Sequence, residues 1–202
     1  MNMKKGKEDM ENKITIVLAT GNQHKLQEIN EITANTGIEF ILPKEGFDPI
    51  ENGETFEQNS IIKAKEASKV SGQISLADDS GLCVEALNGE PGIHSARYDT
   101  TPQRRIDKLL KNLANKDNRK AKFVCVMTLT DKDGNVLNQE TGECHGQIAK
   151  EQFGTNGFGY DPIFVVDDYD ITMAQMSEDL KNKISHRAKA LSKMIRFIKE
   201  NL

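Results

Sequence analysis

ITIVLATGNQHK, residues 14 to 25, reads as a strand that feeds a helix, and this stretch decides the fold class. The apolar run from Ile14 to Ala19 has the length and composition of a strand. It ends in Thr20, Gly21 and Asn22, and a helical pattern follows. A strand that turns into a helix in this way offers free backbone N–H groups to an anion. Thr20 and Asn22 add side-chain hydrogen bonds, and Lys25 in the first helical turn is placed to reach a phosphate. The G-x-x-x-x-G-K-S/T spacing of a P-loop is missing. A plain strand-to-helix connection with Asn22 as N-cap would carry the same residues.

Outward from that stretch, helical and extended patterns alternate. A helix is expected from Lys25 to about Thr36, stopped by Gly37, and a strand from Ile38 to Leu42. Thr55 and Gln58 have the spacing of a capping box, opening a helix to about Ser71 that Gly72 ends. Val84 to Leu87 meets an Asn88-Gly89 turn. Thr101 and Pro102 form an N-cap and N1 pair for a helix through Leu113. Ala121 to Thr130, Asp133-Gly134 and Val136 to Ile148 read as a long hairpin, and Ile163 to Val166 as a further strand. Ser185 caps a C-terminal helix in which Ala188, Leu191, Met194, Ile195 and Ile198 recur at helical spacing. The order gives an α/β fold with a mixed central sheet. Met1 to Asn12 is charged and poor in apolar residues, so it is expected to be a disordered tail before one domain at 13–202.

Three further segments carry chemistry. LADDSGL, Leu76 to Leu82, sets two adjacent carboxylates and a hydroxyl at the end of an apolar run. Read as a turn, it either holds a hard divalent cation between repelling carboxylates or is an acidic β-turn closed by Gly81. GTNGFGYDP, Gly154 to Pro162, places Phe158 and Tyr160 among glycines in a chain that is only 5% aromatic. That placement suits a planar ligand, since glycines admit close approach and aromatics offer a stacking face. KNKISHR, Lys181 to Arg187, gathers Lys181, Lys183, His186 and Arg187 beside the start of the last helix. Such a cluster suits phosphate or a purine carbonyl. Arg187, at the edge of a buried helix, needs a partner.

Composition narrows the classes. The 202 residues are 37% hydrophobic and 29% charged, enough for one sizeable core or two small lobes. A net charge of −4 argues against a general nucleic-acid binder and favours a local positive pocket in an acidic body. No apolar stretch approaches the roughly 20 residues of a membrane span. Met1 to Lys13 lacks the apolar region of a signal peptide, so a cytoplasmic location is expected. Three cysteines without paired spacing read as reduced thiols, and four scattered histidines argue against a transition metal. Oxygen ligands holding Mg²⁺ are favoured.

Six motifs then fall in one order: ATGNxxK, E-x-G-x-TF with NxxxKA, ADDSGL, PGxxSARY, FGYDP and K-x4-HR. In that order they resemble the inosine triphosphate pyrophosphatase family, which hydrolyses non-canonical purine nucleoside triphosphates (ITP, dITP, XTP) to monophosphate and pyrophosphate. The likeness spans about Ile14 to Leu202. It implies a two-lobed, elongated shape with a nucleotide cleft between the lobes, a homodimer, Mg²⁺ and a house-cleaning role. By the same resemblance, Thr20, Gly21, Asn22 and Lys25 line the triphosphate, with Gln23 and His24 at variable positions of that turn. Glu51 and Asp79 ligate the metal, and Asp79 orients or deprotonates the attacking water. Lys63 points at phosphates or acids, and Ser80 is a substrate contact. Phe158, Gly159, Tyr160 and Asp161 serve the base, with Lys181, His186 and Arg187 closing the other side. Asp78 is either a second ligand or a partner of one.

The chain departs from the pattern in two places. Gln58-Asn59-Ser60 stands where many members have Glu-Asn-Ala, and His94 replaces a common Tyr. Two other readings compete: a pyrophosphatase for modified pyrimidine nucleotides, against which FGYDP and SHR argue, and a silent nucleotide-binding module. Glu51, Lys63 and Asp79 together argue against the module.

Overall fold

The computed structural model describes residues 13–44, 47 and 49–202. The tail expected at 1–12 lies outside the described residues. Six strands form one sheet in the order β2-β1-β3-β4-β5-β6. They are β1 (Ile14–Leu18), β2 (Ile38–Ile41), β3 (Ser75–Val84), β4 (Lys120–Thr130), β5 (Val136–Ile148) and β6 (Phe164–Val166). β1 runs parallel to both β2 and β3, and the remaining pairs are antiparallel. The helices are α1 (Gln23–Thr33), α2 (Phe56–Ser71), α3 (Pro102–Asn112), α4 (Glu178–Ile184) and α5 (His186–Asn201). The mixed α/β sheet is the one expected.

Side-chain alternation explains why β1 is apolar and buried from Ile16 to Leu18, past the exposed Thr15. Ile16 and Leu18 face a core shared with Ile29 of α1 and Leu191, Met194 and Ile198 of α5. Val17 and Ala19 face the other way, onto Ala64 and Ala67 of α2. A strand covered on both faces has no polar side to show. A third cluster gathers Leu82 and Val84 with Ile106 and Leu109 of α3 and Phe164 of β6. The cores therefore part inside β3. Leu76 and Ala77 belong to the first two and Leu82 to the third, with Asp78 to Gly81 between them.

The main correction concerns LADDSGL, which is strand interior and not a turn. Asp78, Asp79, Ser80 and Gly81 pair in unbroken register with Met127, Val126, Cys125 and Val124 of β4. A full ladder of partners overrides the local turn preference of Asp-Ser-Gly.

Smaller differences have local causes. α1 starts two residues early because the Asn22 side chain accepts from the backbone N–H of both His24 and Lys25, so the turn closes at once. It ends at Thr33, ahead of Gly37. At α2, Thr55 caps the Gln58 N–H, but the Gln58 side chain accepts from Glu54, one residue before the cap. Glu85–Leu87 is a short 3-10 turn before Asn88 and Gly89, both at positive φ. α4 was not anticipated. Ser177 caps it, and Ser185 both ends it and caps α5.

Candidate active site

Because strand side chains alternate, the neighbours Asp78 and Asp79 point to opposite faces of the sheet. Asp78 shares the face of Leu76 and meets α1 and α5. Lys25 Nζ lies 2.8 Å from its Oδ2 and 3.0 Å from its Oδ1, and Arg187 Nη2 lies 3.2 Å from Oδ2. Ser80 donates to the same carboxylate at 2.7 Å. Burial pushes the Asp78 carboxyl up, but Lys25, Arg187 and Lys63 outweigh it and hold it well below the usual carboxylate range. Asp78 is thus enclosed by cations. The same pairing holds Lys25, which was expected to reach for phosphate.

Arg187 is the largest fully buried side chain and has the partner its position demanded. Nη1 donates to Glu28 Oε2 of α1 at 2.6 Å. Burial alone would lower its proton affinity, and Glu28 and Asp78 reverse that. Its Nη2 also lies 3.4 Å from Ser80 Oγ. Glu28 is a residue that sequence reasoning missed. It looks like one more acid on a helix, and only the fold brings Arg187 to it across 159 residues of chain.

Asp79 faces α2. Lys63 Nζ stands 2.9 Å from Asp79 Oδ1 and 3.1 Å from Glu51 Oε1, so one ammonium joins both carboxylates. Burial would lower the Lys63 proton affinity, but Asp79, Asp78 and Glu51 raise it. Burial raises that of Asp79 against the pull of Lys63. The second Asp79 oxygen, Oδ2, is buried and has no hydrogen-bond partner. Glu51 also reaches Arg97, at 3.3 Å. Asn59, fully buried in α2, accepts the Gly53 N–H at 2.9 Å and so holds the Glu51 segment against the helix. Glu51 and Asp79 are hard oxygen donors on one cation, and an unpartnered carboxylate oxygen fits Mg²⁺, which keeps several waters and needs few protein ligands. Among the described residues no three His, Cys, Asp or Glu side chains gather as a metal cage.

The glycine-rich loop divides its two aromatics. Tyr160 is buried in the third core, and its hydroxyl donates to the Ser95 carbonyl at 3.0 Å, so it is chiefly a packing residue. Phe158 stays half-buried, with Lys181 Nζ 4.7 Å and Arg187 Cζ 5.9 Å from its ring centre. Asp161 accepts from Lys181 and from the Phe158 N–H, both at 2.8 Å. Burial raises its carboxyl against the pull of Lys181. His186 stacks on Phe123 at 4.8 Å, and its Nδ1 lacks a partner. Burial, then Arg187 and Lys181, disfavour its imidazolium form and push its proton affinity well down.

A cleft of about 190 Å³ brings together Asn22, Lys25, Glu51, Lys63, Asp79, Ser80, Phe158 to Asp161, Lys181, His186 and Arg187. Thr20, Gly21, Gln23 and His24 are not part of its wall. Thr20 Oγ1 accepts the Asn22 N–H, and Gln23 is exposed. Two arginines unmarked by sequence reasoning, Arg97 and Arg105, line the cleft as well. So does Ser95, whose hydroxyl accepts the Leu82 N–H.

Fold and site define a class: a mixed-sheet α/β protein with a cation-lined cleft, where two carboxylates share one buried ammonium. The chain belongs to the Ham1 family, whose model matches residues 16–197. It is 44% identical over 180 residues to the dITP/XTP pyrophosphatase of Nostoc sp., covering 89% of this chain and 92% of that protein. The structure of a HAM1 protein from Coxiella burnetii matches with a TM-score of 0.85 at 42% identity, over 93% of this chain and 99% of that one. The Staphylococcus aureus Ham1 structure matches with a TM-score of 0.83 at 42% identity, over 93% and 100%. The resemblance drawn from the six ordered motifs is borne out.

Proposed function

We propose that this chain hydrolyses non-canonical purine nucleoside triphosphates, namely ITP, dITP and XTP, to the monophosphate and pyrophosphate. The observation that carries the reading is the buried, unpartnered Asp79 Oδ2 in a cleft lined by Lys63, Arg97, Arg105 and Lys181. The names of the relatives support the substrate class. A triphosphate carries about four negative charges, so cations must offset them before water can approach phosphorus. Lys63, Arg97 and Arg105 do this from the protein side. Glu51 and Asp79 would hold Mg²⁺, which when bound would neutralise phosphate charge and polarise the phosphoryl oxygens.

Asp79 Oδ2 orients a water toward the α-phosphorus and accepts its proton. The new bond joins water oxygen to the α-phosphorus, the α–β bridging bond breaks, and pyrophosphate leaves. Lys63 keeps the carboxylate in place throughout. At the other end Phe158 offers a stacking face, and the unpartnered His186 Nδ1 with the Phe158 to Asp161 backbone reads the purine edge. The family resemblance extends this reading to a cytoplasmic homodimer with its nucleotide cleft between two lobes. Phosphorus NMR of a reaction with ITP, with and without Mg²⁺, tests the function. Pyrophosphate with no diphosphate, and only with Mg²⁺, is the expected result. Orthophosphate and diphosphate as first products would overturn it.

A further inference from the structure

Phe158 lines two cavities. One is the cleft with Asp79 and Lys63, and the other, of about 280 Å³, is lined by His24, Glu28, Asn156, Phe158, Lys181 and Asn182 among others. Across the second, the His24 imidazole lies stacked on the Phe158 ring, with centroids 5.4 Å apart and planes 17° from parallel. His24 is exposed, whereas Phe158 is half-buried. The His24 backbone is fixed, since its N–H donates to Asn22 Oδ1 at 3.0 Å in the first turn of α1. Its side chain needs only a rotamer change to leave the ring.

A planar base cannot enter between these rings as they stand. Two stacking gaps of about 3.5 Å each require about 7 Å between the outer rings, against the 5.4 Å observed. We propose that His24 is a removable cover on the Phe158 face that receives the base. The free protein fills its own platform, and a base that stacks there must first displace the imidazole. This rests on the purine nucleotide reading given above.

The cover has a quantitative signature. When only the uncovered fraction binds, the apparent dissociation constant rises by one common factor, whatever the identity of the base. An aromatic pair of ordinary strength makes that factor about two- to tenfold. A ligand without a base escapes it. His24 is then a positioning residue for KM, and substrate selectivity does not depend on it.

The test uses His24→Ala and His24→Trp with ITP and XTP kinetics, calorimetry of IMP binding, and inorganic tripolyphosphate as a competitive inhibitor. For His24→Ala, both KM values and the IMP dissociation constant fall by the same two- to tenfold factor, and tripolyphosphate inhibition stays constant. His24→Trp shifts the base-bearing ligands the other way. Values that rise or stay constant in His24→Ala, or that shift unequally between ITP and XTP, overturn the cover. So does a parallel shift in tripolyphosphate inhibition, which makes His24 a phosphate contact. A wild type that binds IMP but releases no pyrophosphate overturns the proposed function and leaves the cover to be judged by calorimetry. One that binds no purine nucleotide overturns both.

Discussion

Lys63 Nζ lies 2.9 Å from Asp79 Oδ1, while the other oxygen of that carboxylate is buried with no partner. One oxygen is therefore anchored and the other left to act. Asp79→Asn keeps the shape and the anchor oxygen but removes the charge and the basicity. Single-turnover rate should fall below about a tenth of wild type, with nucleotide affinity within about tenfold. A rate above that bound would remove Asp79 from the chemistry.

Asp78 has a different purpose, and pH separates the two. Its carboxyl is held well below the ordinary range, so the fold favours the ionised form. That stabilisation is fully present above the unfolded value of about 3.9 and is lost as pH falls from there toward the folded value. Asp78→Asn leaves Lys25 and Arg187 short of a buried counter-charge and should cost about 3–5 kcal/mol at pH 7. Denaturant unfolding across pH should show the wild-type advantage shrinking below about pH 4. A gap that does not change with pH would count against this account.

Gly142 lets α5 lie on β5. A Cβ there would run into the His186 carbonyl oxygen and the Ala190 nitrogen, which are backbone and cannot swing away. Gly142→Ala should push the first turn of α5, with His186 and Arg187, off the cleft. We expect about 1–3 kcal/mol of destabilisation and a loss of kcat/KM larger than the stability change explains. Chemical denaturation and kinetics on the same preparation measure both.

Selectivity should follow the purine edge. Arg187 spends its Nη donors on Glu28, Asp78 and Ser80, whereas His186 Nδ1 has no partner. Hypoxanthine and xanthine present a 6-oxo acceptor, and adenine presents a donor. A site built to bond one edge rejects the wrong group by up to about 10⁴-fold, and guanine, sharing the 6-oxo group, must be excluded at its 2-amino position. kcat/KM for ITP and XTP should exceed that for ATP and GTP by at least about a hundredfold, and His186→Ala should narrow the gap. Hydrolysis of ATP within about tenfold of ITP would make the protein a general triphosphatase.

Much was legible without coordinates, because it rests on local rules. The apolar run at 14–19, the Asn22, Thr55, Thr101 and Ser185 caps, the Gly72 stop and the Asp133-Gly134 hairpin each depend on residues a few positions apart, and the structure keeps them all. So the sequence by itself determined the elements, the mixed α/β class, the family and the segments that meet in the cleft. Which side chain faces which was decided by the tertiary structure. LADDSGL has turn chemistry until β4 pairs with it, and pairing makes it a strand whose alternation sends Asp78 to α1 and α5 and Asp79 to α2. The Glu28–Arg187 pair, the burial of Tyr160 and the His24–Phe158 stack join residues more than 60 positions apart. Burial and long-range pairing set the charge state and freedom of those groups, and neither is a property of any short stretch of chain.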